Sequence, residues 1–524
     1  MAGDFTRRRF LTSTACAGAG LLVTPGFGYG QTQILSEAGK VGTPFGAQVG
    51  DIRNGSAIVW SKADRPSRMQ LRWSTTEDLR SANESVVVNA LEASDNTARI
   101  DLYGLPGDQT IFYEIGFTDL ADLKTVSAPV RGRFRTPPVE RRDIRFVWSG
   151  DTVGQGWGIN PDFGGMRIYE TMRRVEPDFF IHSGDTIYAD GPIKAEAELP
   201  DGSIWKNVTT EAKSKVAETL AEYRGQYAYN LLDENLRRFN AEVPILAQWD
   251  DHEVTNNWYW QKRMDNDERY KEGSVALMAA NAMRAFHDYM PIRSHPIDPD
   301  RLYQSFPYGP SLEVFRIDLR SYRGANSDEQ PTTISPETRI LGRRQLEWLK
   351  LALKNSKATW KVIASDMPIG LIVYDQAKDR RGAEAIALRD GPAAGRELEI
   401  AELLTWIRDN GIRNTVWLTA DVHYTAAHHY DPSRAQYTAF APFWEFVSGP
   451  LNAGSFGPNT LDNTFGPEAR FVKAPPEGQA NLAPSAGFQF FGQVDISGDS
   501  ELMTVSLVDI AGDILYSTEL QPEA

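Results

Sequence analysis

The stretch PDFFIHSGDTIYADGP, residues 177–192, decides how the rest of the chain is read. Phe179, Phe180 and Ile181 are consecutive apolar residues ending at His182, bounded by Pro177 and Gly184. The run is too short for a helix and shows no alternation, so it reads as a strand covered on both faces. It ends in Ser183-Gly184-Asp185, which puts a carboxylate at its C-terminal end. Four more segments repeat the arrangement. Residues 144–148 run into Gly150-Asp151, 244–248 into Asp250-Asp251-His252-Glu253, 360–364 into Ser365-Asp366, and 416–419 into Asp421-Val422-His423. In layered α/β sheets the C-terminal ends of the strands are where ligands sit.

Taken singly, each of these is ordinary. A lone Gly-Asp after a strand is usually a turn, and acidic residues often cap a helix N-terminus. The fivefold recurrence carries the inference. Five carboxylates brought together cannot all stay ionised without a counter-charge. Bound cations supply one, and oxygen ligands suit calcium, manganese, magnesium or iron(III), while added histidines bring in transition metals.

Between these strands lie helical patterns at 165–175, 211–239, 274–289, 342–353 and 395–409, and strands return after Pro484. The expected fold over 143–520 is α/β, a layered β-sandwich core flanked by helices. Residues 41–137 differ: short alternating segments separated by turn signals predict an N-terminal all-β, fibronectin-like sandwich domain. Thr136-Pro137-Pro138 reads as a stiff linker between the two.

The 524 residues carry a formal charge of -15. That balance repels nucleic acid backbones, so no stable nucleic acid partner is expected. The 41% hydrophobic content and 13 Trp support large buried cores. Residues 1–30 read as an address: Thr6-Arg7-Arg8-Arg9-Phe10-Leu11-Thr12 has the form of a twin-arginine export signal, followed by a short apolar stretch and small residues near Gly30. The expected partner of the precursor is the twin-arginine export machinery, and the expected location is periplasmic or secreted. Cys16 lies in that segment and is the single cysteine, so thiols and disulfides are not expected in the processed protein. No later apolar run is long enough to span a membrane.

The series Gly-Asp, Asp-His-Glu and Asp-Val-His resembles the calcineurin-like metallophosphoesterases. The longer motifs SGDTIYADGP (183–192), WDDHEVTNNW (249–258), DLRSYRG (318–324), Leu341 to Leu349 and DVHY (421–424) are similar to the PhoD-type alkaline phosphatase and phosphodiesterase branch. The resemblance covers nearly the whole chain. It implies that Asp151 is the first metal ligand, Asp185 a bridging carboxylate, Tyr188 a phenolate ligand, and Asp421 and His423 the closing pair. Asp251 falls where the wider superfamily has Asn, and Asp366 is a further ligand. The resemblance also implies that His252 lies beside the scissile phosphate as the catalytic residue. Relatives of this branch carry a Cys ligand near the first Asp, and none is available here. Two or more ions are implied, with calcium expected and iron(III), manganese or zinc open.

The implied activity is metal-dependent hydrolysis of small phosphate monoesters or diesters, by in-line attack of a metal-bound hydroxide. Asn257 and Arg320 are candidate phosphate-binding residues by residue type and motif membership. A phospholipase-D-like phosphodiesterase is one rival. A calcium-stapled binding protein with the sandwich domain as its working part is another, and His252 and His423 argue against it. Exchanging Arg7 and Arg8 together for Lys is expected to trap precursor in the cytoplasm, visible by fractionation; normal export of the double variant would contradict the assignment.

Overall fold

The computed structural model describes residues Gly39–Glu523. The export segment and Cys16 lie outside the described residues. Two large sheets pack face to face. The first has nine strands, in spatial order Ile514–Leu520, Met503–Asp509, Phe490–Ile496, Ile144–Ser149, Phe179–His182, Ile245–Ala247, Ala47–Arg53, Ser56–Lys62 and Thr97–Tyr103. The second has seven, in order Gln304–Tyr308, Leu312–Arg316, Trp360–Ala364, Thr415–Thr419, Phe443–Val447, Thr425–Tyr430 and Pro467–Lys473.

The unbroken apolar runs are covered on both faces, which is why they lack alternation. In the first sheet, Phe146, Trp148, Phe179 and Ile181 face the second sheet and pack with Val362, Val416 and Leu418. Val147 and Phe180 face outward, under helices Arg167–Arg174, Glu234–Glu242 and Val275–Tyr289. In the second sheet, Phe315, Ile363 and Trp417 face outward, under helices Arg343–Asn355 and Glu397–Asp409. The result is four layers, helix–sheet–sheet–helix, as the sequence pattern predicts.

The strands that carry the carboxylates run parallel within each sheet. Phe179 pairs with Phe146 and His182 with Ser149, so Asp151 and Asp185 emerge side by side. Lys361 pairs with Thr415 and Ala364 with Leu418, which does the same for Asp366 and Asp421. Buried hydrogen bonds then lock the two sheets together at these ends. Trp148 Nε1 donates to the Thr419 carbonyl at 3.2 Å, and Gln248 Nε2 donates to the carbonyls of Ile317 and Ala364, each at 3.0 Å.

Residues 41–137 form two β-layers. Ser67–Ser74, Thr110–Asp119 and Val130–Arg135 build a separate small sheet, while Ala47–Arg53, Ser56–Lys62 and Thr97–Tyr103 extend the nine-stranded one. The junction is a parallel pairing of Gly50 with Ile245. Gly50 has a steric reason: a Cβ there would stand 2.5 Å from the Pro291 carbonyl oxygen and 2.8 Å from that of Ile245. Val49, Val59, Leu71 and Ile115 join the same core as Phe146 and Val362.

One expected helix is divided. Residues 211–239 contain a single 3-10 turn, Glu211–Lys213, then helices Leu220–Asn230 and Glu234–Glu242. Thr219 and Glu222 close a capping box at the start of the first, and Asp233 accepts from Leu236 N at 2.9 Å to start the second. Both start signals stand in the sequence and outweigh the continuous helical composition.

A chain beginning at residue 138 would lose the strand beside Ile245–Ala247 and expose part of the shared core. It is expected to be insoluble, or to bind hydrophobic dyes without a cooperative unfolding transition. A monomeric product with native near-ultraviolet dichroism and a sharp transition would contradict the shared-core account.

Candidate metal centre

Asp151, Asp185 and Asp421 each come directly after a strand and each adopt left-handed backbone, with φ of 65°, 52° and 67°. His423 and Asn257 do so too, at 62° and 56°. Such conformations are uncommon outside glycine, least costly for Asp, Asn and His, and gather at functional sites. At Asp151, Asp185 and Asp421 this backbone turns the chain sharply within three residues of a strand end.

The side chains meet in three overlapping groups, each with its ligand atoms within 4.8 Å of one another: Asp151, Asp185 and His423; Asp185, Asp251 and His252; Asp250, Asp251 and Asp421. Asp185 belongs to the first two and Asp251 to the last two. Each of the two therefore links neighbouring groups.

Each side chain is held from behind. Tyr188 is buried against Gly154, its hydroxyl 2.7 Å from His423 Nε2. His423 Nδ1 bonds the Gly454 carbonyl. A carbonyl only accepts, so Nδ1 carries the proton and Nε2 presents its lone pair toward Tyr188 and Asp151, 3.5 Å away. Burial pushes the His423 imidazole down to about 4, which keeps it neutral and able to ligate. The space around Asp151 is tight: a Cβ on Gly449 would stand 2.3 Å from Asp151 Oδ2.

His252 is held differently. Its ring stacks on Tyr188 with centroids 4.2 Å apart, and its Nδ1 donates to Asp190 Oδ1 at 2.6 Å. Asp190 is itself oriented by Asn256 N at 2.9 Å. Burial disfavours the imidazolium, but Asp190 and Asp251 outweigh it and raise His252 to about 9. Asp190 lies in the quoted motif, yet the sequence gives it no role because its partner is 62 residues away. Glu253 is similarly silent. Its carboxylate accepts from the backbone N–H groups of Asp185, Thr186 and Asp250 at 3.0, 2.6 and 2.8 Å, and so staples two strand ends together.

The remaining candidates are near but set apart. Asp366 is fully buried, 4.0 Å from Arg320, and outside the three groups. Asn257 donates its backbone N–H to Asp251 at 2.5 Å and its side-chain amide to the Asp375 carbonyl at 3.1 Å. Arg320 is fully buried among the carboxylates, bonded to Asp250 and Glu384 and 3.7 Å from Asp421. Nothing in the sequence singles out Asp250 or Glu384. His182 is a buried strand residue bonded to Thr152 at 2.7 Å, as its position in an apolar run implies.

Burial and mutual repulsion hold Asp151, Asp185, Asp366 and Asp421 well above the usual carboxylate range. Like charges about 4 Å apart repel by about 4 kcal/mol at an effective dielectric of about 20. Asp151 Oδ2, Asp250 Oδ2, Asp251 Oδ1 and Asp366 Oδ2 are buried and accept no hydrogen bond. Buried polar atoms normally find partners, so converging carboxylate oxygens that accept no hydrogen bond fit cation binding.

The sequence matches the family described as PhoD-like phosphatase over residues 146–507, and the N-terminal domain of PhoD-like phosphatases over residues 31–138. It is 26% identical to alkaline phosphatase D of Bacillus subtilis (strain 168) over 485 residues, which cover 88% of this chain and 78% of that protein. The fold resembles the solved structure of PhoD, with a TM-score of 0.67 at 19% identity, covering 92% of this chain and 94% of that one. It also resembles purple acid phosphatase PPD1 of yellow lupin (Lupinus luteus), with a TM-score of 0.55 at 12% identity, covering 91% and 75%. The rival reading as a calcium-stapled binding protein gives way to these findings. The chain belongs to the PhoD-like phosphatase family and is a phosphoric ester hydrolase.

Proposed function

We propose that this protein is an exported, metal-dependent phosphoesterase acting on small phosphate esters. The observation that carries the reading is the run of three donor groups joined through Asp185 and Asp251. Asp151, Asp185, His423 and Tyr188 form a mixed oxygen and nitrogen set that suits a transition ion, iron(III), manganese or zinc. Asp250, Asp251 and Asp421 form an all-carboxylate set that suits calcium. When bound, the cations neutralise the carboxylates and the phosphoryl oxygens and lower the pKa of water.

The protein's own groups do the rest. His252 has Nδ1 fixed on Asp190, so its Nε2 is the atom that delivers a proton to the leaving oxygen. Asp190 holds the tautomer and the ring plane. Arg320 supplies a buried positive charge beside Asp251 and Asp421 for a non-bridging oxygen. Monoesters and diesters present the same phosphoryl group to these residues and differ in the walls their substituents meet. Export by the twin-arginine route, which carries folded proteins, suits an enzyme that loads its ions before leaving the cytoplasm. Among the described residues no helix is long and apolar enough to cross a membrane.

Two experiments test this reading with p-nitrophenyl phosphate and bis-p-nitrophenyl phosphate. Exhaustive chelation, with metal loss confirmed by elemental analysis, is expected to abolish hydrolysis and lower the Tm, because ion binding adds to folding stability. Full activity of the stripped protein would refute the metal dependence. His252→Ala is expected to keep its metal and lose about 10²–10⁴ in kcat, while Asp185→Ala loses metal and activity together. Equal metal loss in both variants would make His252 a ligand instead.

A further inference from the structure

Glu384 lies outside the metal-ligand groups, just after the short hairpin of strands Tyr374–Gln376 and Arg381–Ala383. It is 2% exposed and collects the buried cations of the site's outer wall. Arg320 Nη1 donates to its carboxylate, as do Arg323 Nη1 at 2.9 Å and Asn326 Nδ2 at 2.5 Å. Its backbone carbonyl accepts from Arg323 Nη2 and from Arg396 Nη1, the latter at 2.8 Å. Three buried guanidinium groups therefore converge on one residue. Removing one member of such a buried ionic group leaves the others uncompensated.

The consequence falls on Arg320. Its Nε is pinned to Asp250 and its Nη1 to Glu384. Two anions on different edges fix the plane of a guanidinium more firmly than one. The remaining nitrogen, Nη2, is buried and makes no hydrogen bond. It lies 3.9 Å from Asp251 and 3.7 Å from Asp421, on the side of the metal-ligand carboxylates. The same hairpin also reaches Asn257, whose amide donates to the Asp375 carbonyl at 3.1 Å.

We propose that Glu384 is a positioning residue: with Asp250 it fixes Arg320 so that Nη2 is the one guanidinium nitrogen left to bind a phosphoryl oxygen of the ester. This rests on the phosphoesterase reading above. Glu384 itself touches no reacting atom.

The test is a double-mutant cycle on the metal-loaded, full-length enzyme, read as kcat/KM for p-nitrophenyl phosphate and as inhibition by inorganic phosphate. Absence of hydrolysis by the unmutated enzyme would remove the phosphoesterase reading and this inference with it. Given hydrolysis, Glu384→Gln is expected to lower kcat/KM about 10–100-fold, the range of one charge-assisted hydrogen bond, and to weaken phosphate inhibition in parallel, with metal content unchanged. In an Arg320→Lys background the same change is expected to cost under about threefold, since the group it acts through is already altered. Glu384→Asp, which keeps the charge, serves if the Gln variant folds poorly, and is expected to show a smaller loss with the same coupling. Wild-type kinetics in the Gln variant would overturn the proposal. So would an undiminished loss in the Lys background, or a loss explained by missing metal.

Discussion

Everything at this site depends on the repulsion among buried carboxylates. Asp151, Asp185, Asp250, Asp251 and Asp366, all buried, and the partly buried Asp421 converge at one end of two packed sheets, where water screens them poorly. Isolated buried charges of one sign protonate or drive the structure apart. The fold answers with the buried Arg320, with N–H groups aimed at Glu253 and Asp251, and with overlapping donor groups that could hold metal ions. On the proposed reading the hydrolytic chemistry uses that same charge: cations held there would also bind phosphoryl oxygens.

Holding such a cluster open takes rigid surroundings. Parallel pairing within each sheet sets neighbouring strand ends level. The hydrogen bonds of Trp148 and Gln248 then fix one sheet against the other within a few residues of the clustered carboxylates. The strained backbone at Asp151, Asp185, Asp421 and His423 is sustained by this packing. The N-terminal strands serve the same end, because they complete the core beneath Ile245–Ala247.

Much of this was legible in the sequence, for a physical reason. Strands buried on both faces are written as continuous apolar runs, and the residues just past each run are the ones the sheet presents at its edge. The strand-end carboxylates and the four-layer arrangement follow from those two facts. The hidden part depends on long-range pairing. Asp190 meets His252 across 62 residues, and Glu384 meets Arg320 across 64, with no local pattern linking either pair. The division of the 211–239 helix was written locally, in the capping residues Thr219 and Asp233, but helical composition masked it. The junction at Gly50 was invisible because a glycine in a strand reads the same whether it ends a sheet or lets another strand approach.

On the proposed reading, separate ions sit in the donor groups joined by Asp185 and Asp251. Anomalous scattering from crystals of the active enzyme, collected at the absorption edges of the metals found by elemental analysis, tests it most directly. At least two peaks are expected, one among Asp151, Asp185 and His423 and one among Asp250, Asp251 and Asp421. A single ion in a fully active enzyme, or ions bound away from both groups, would contradict it.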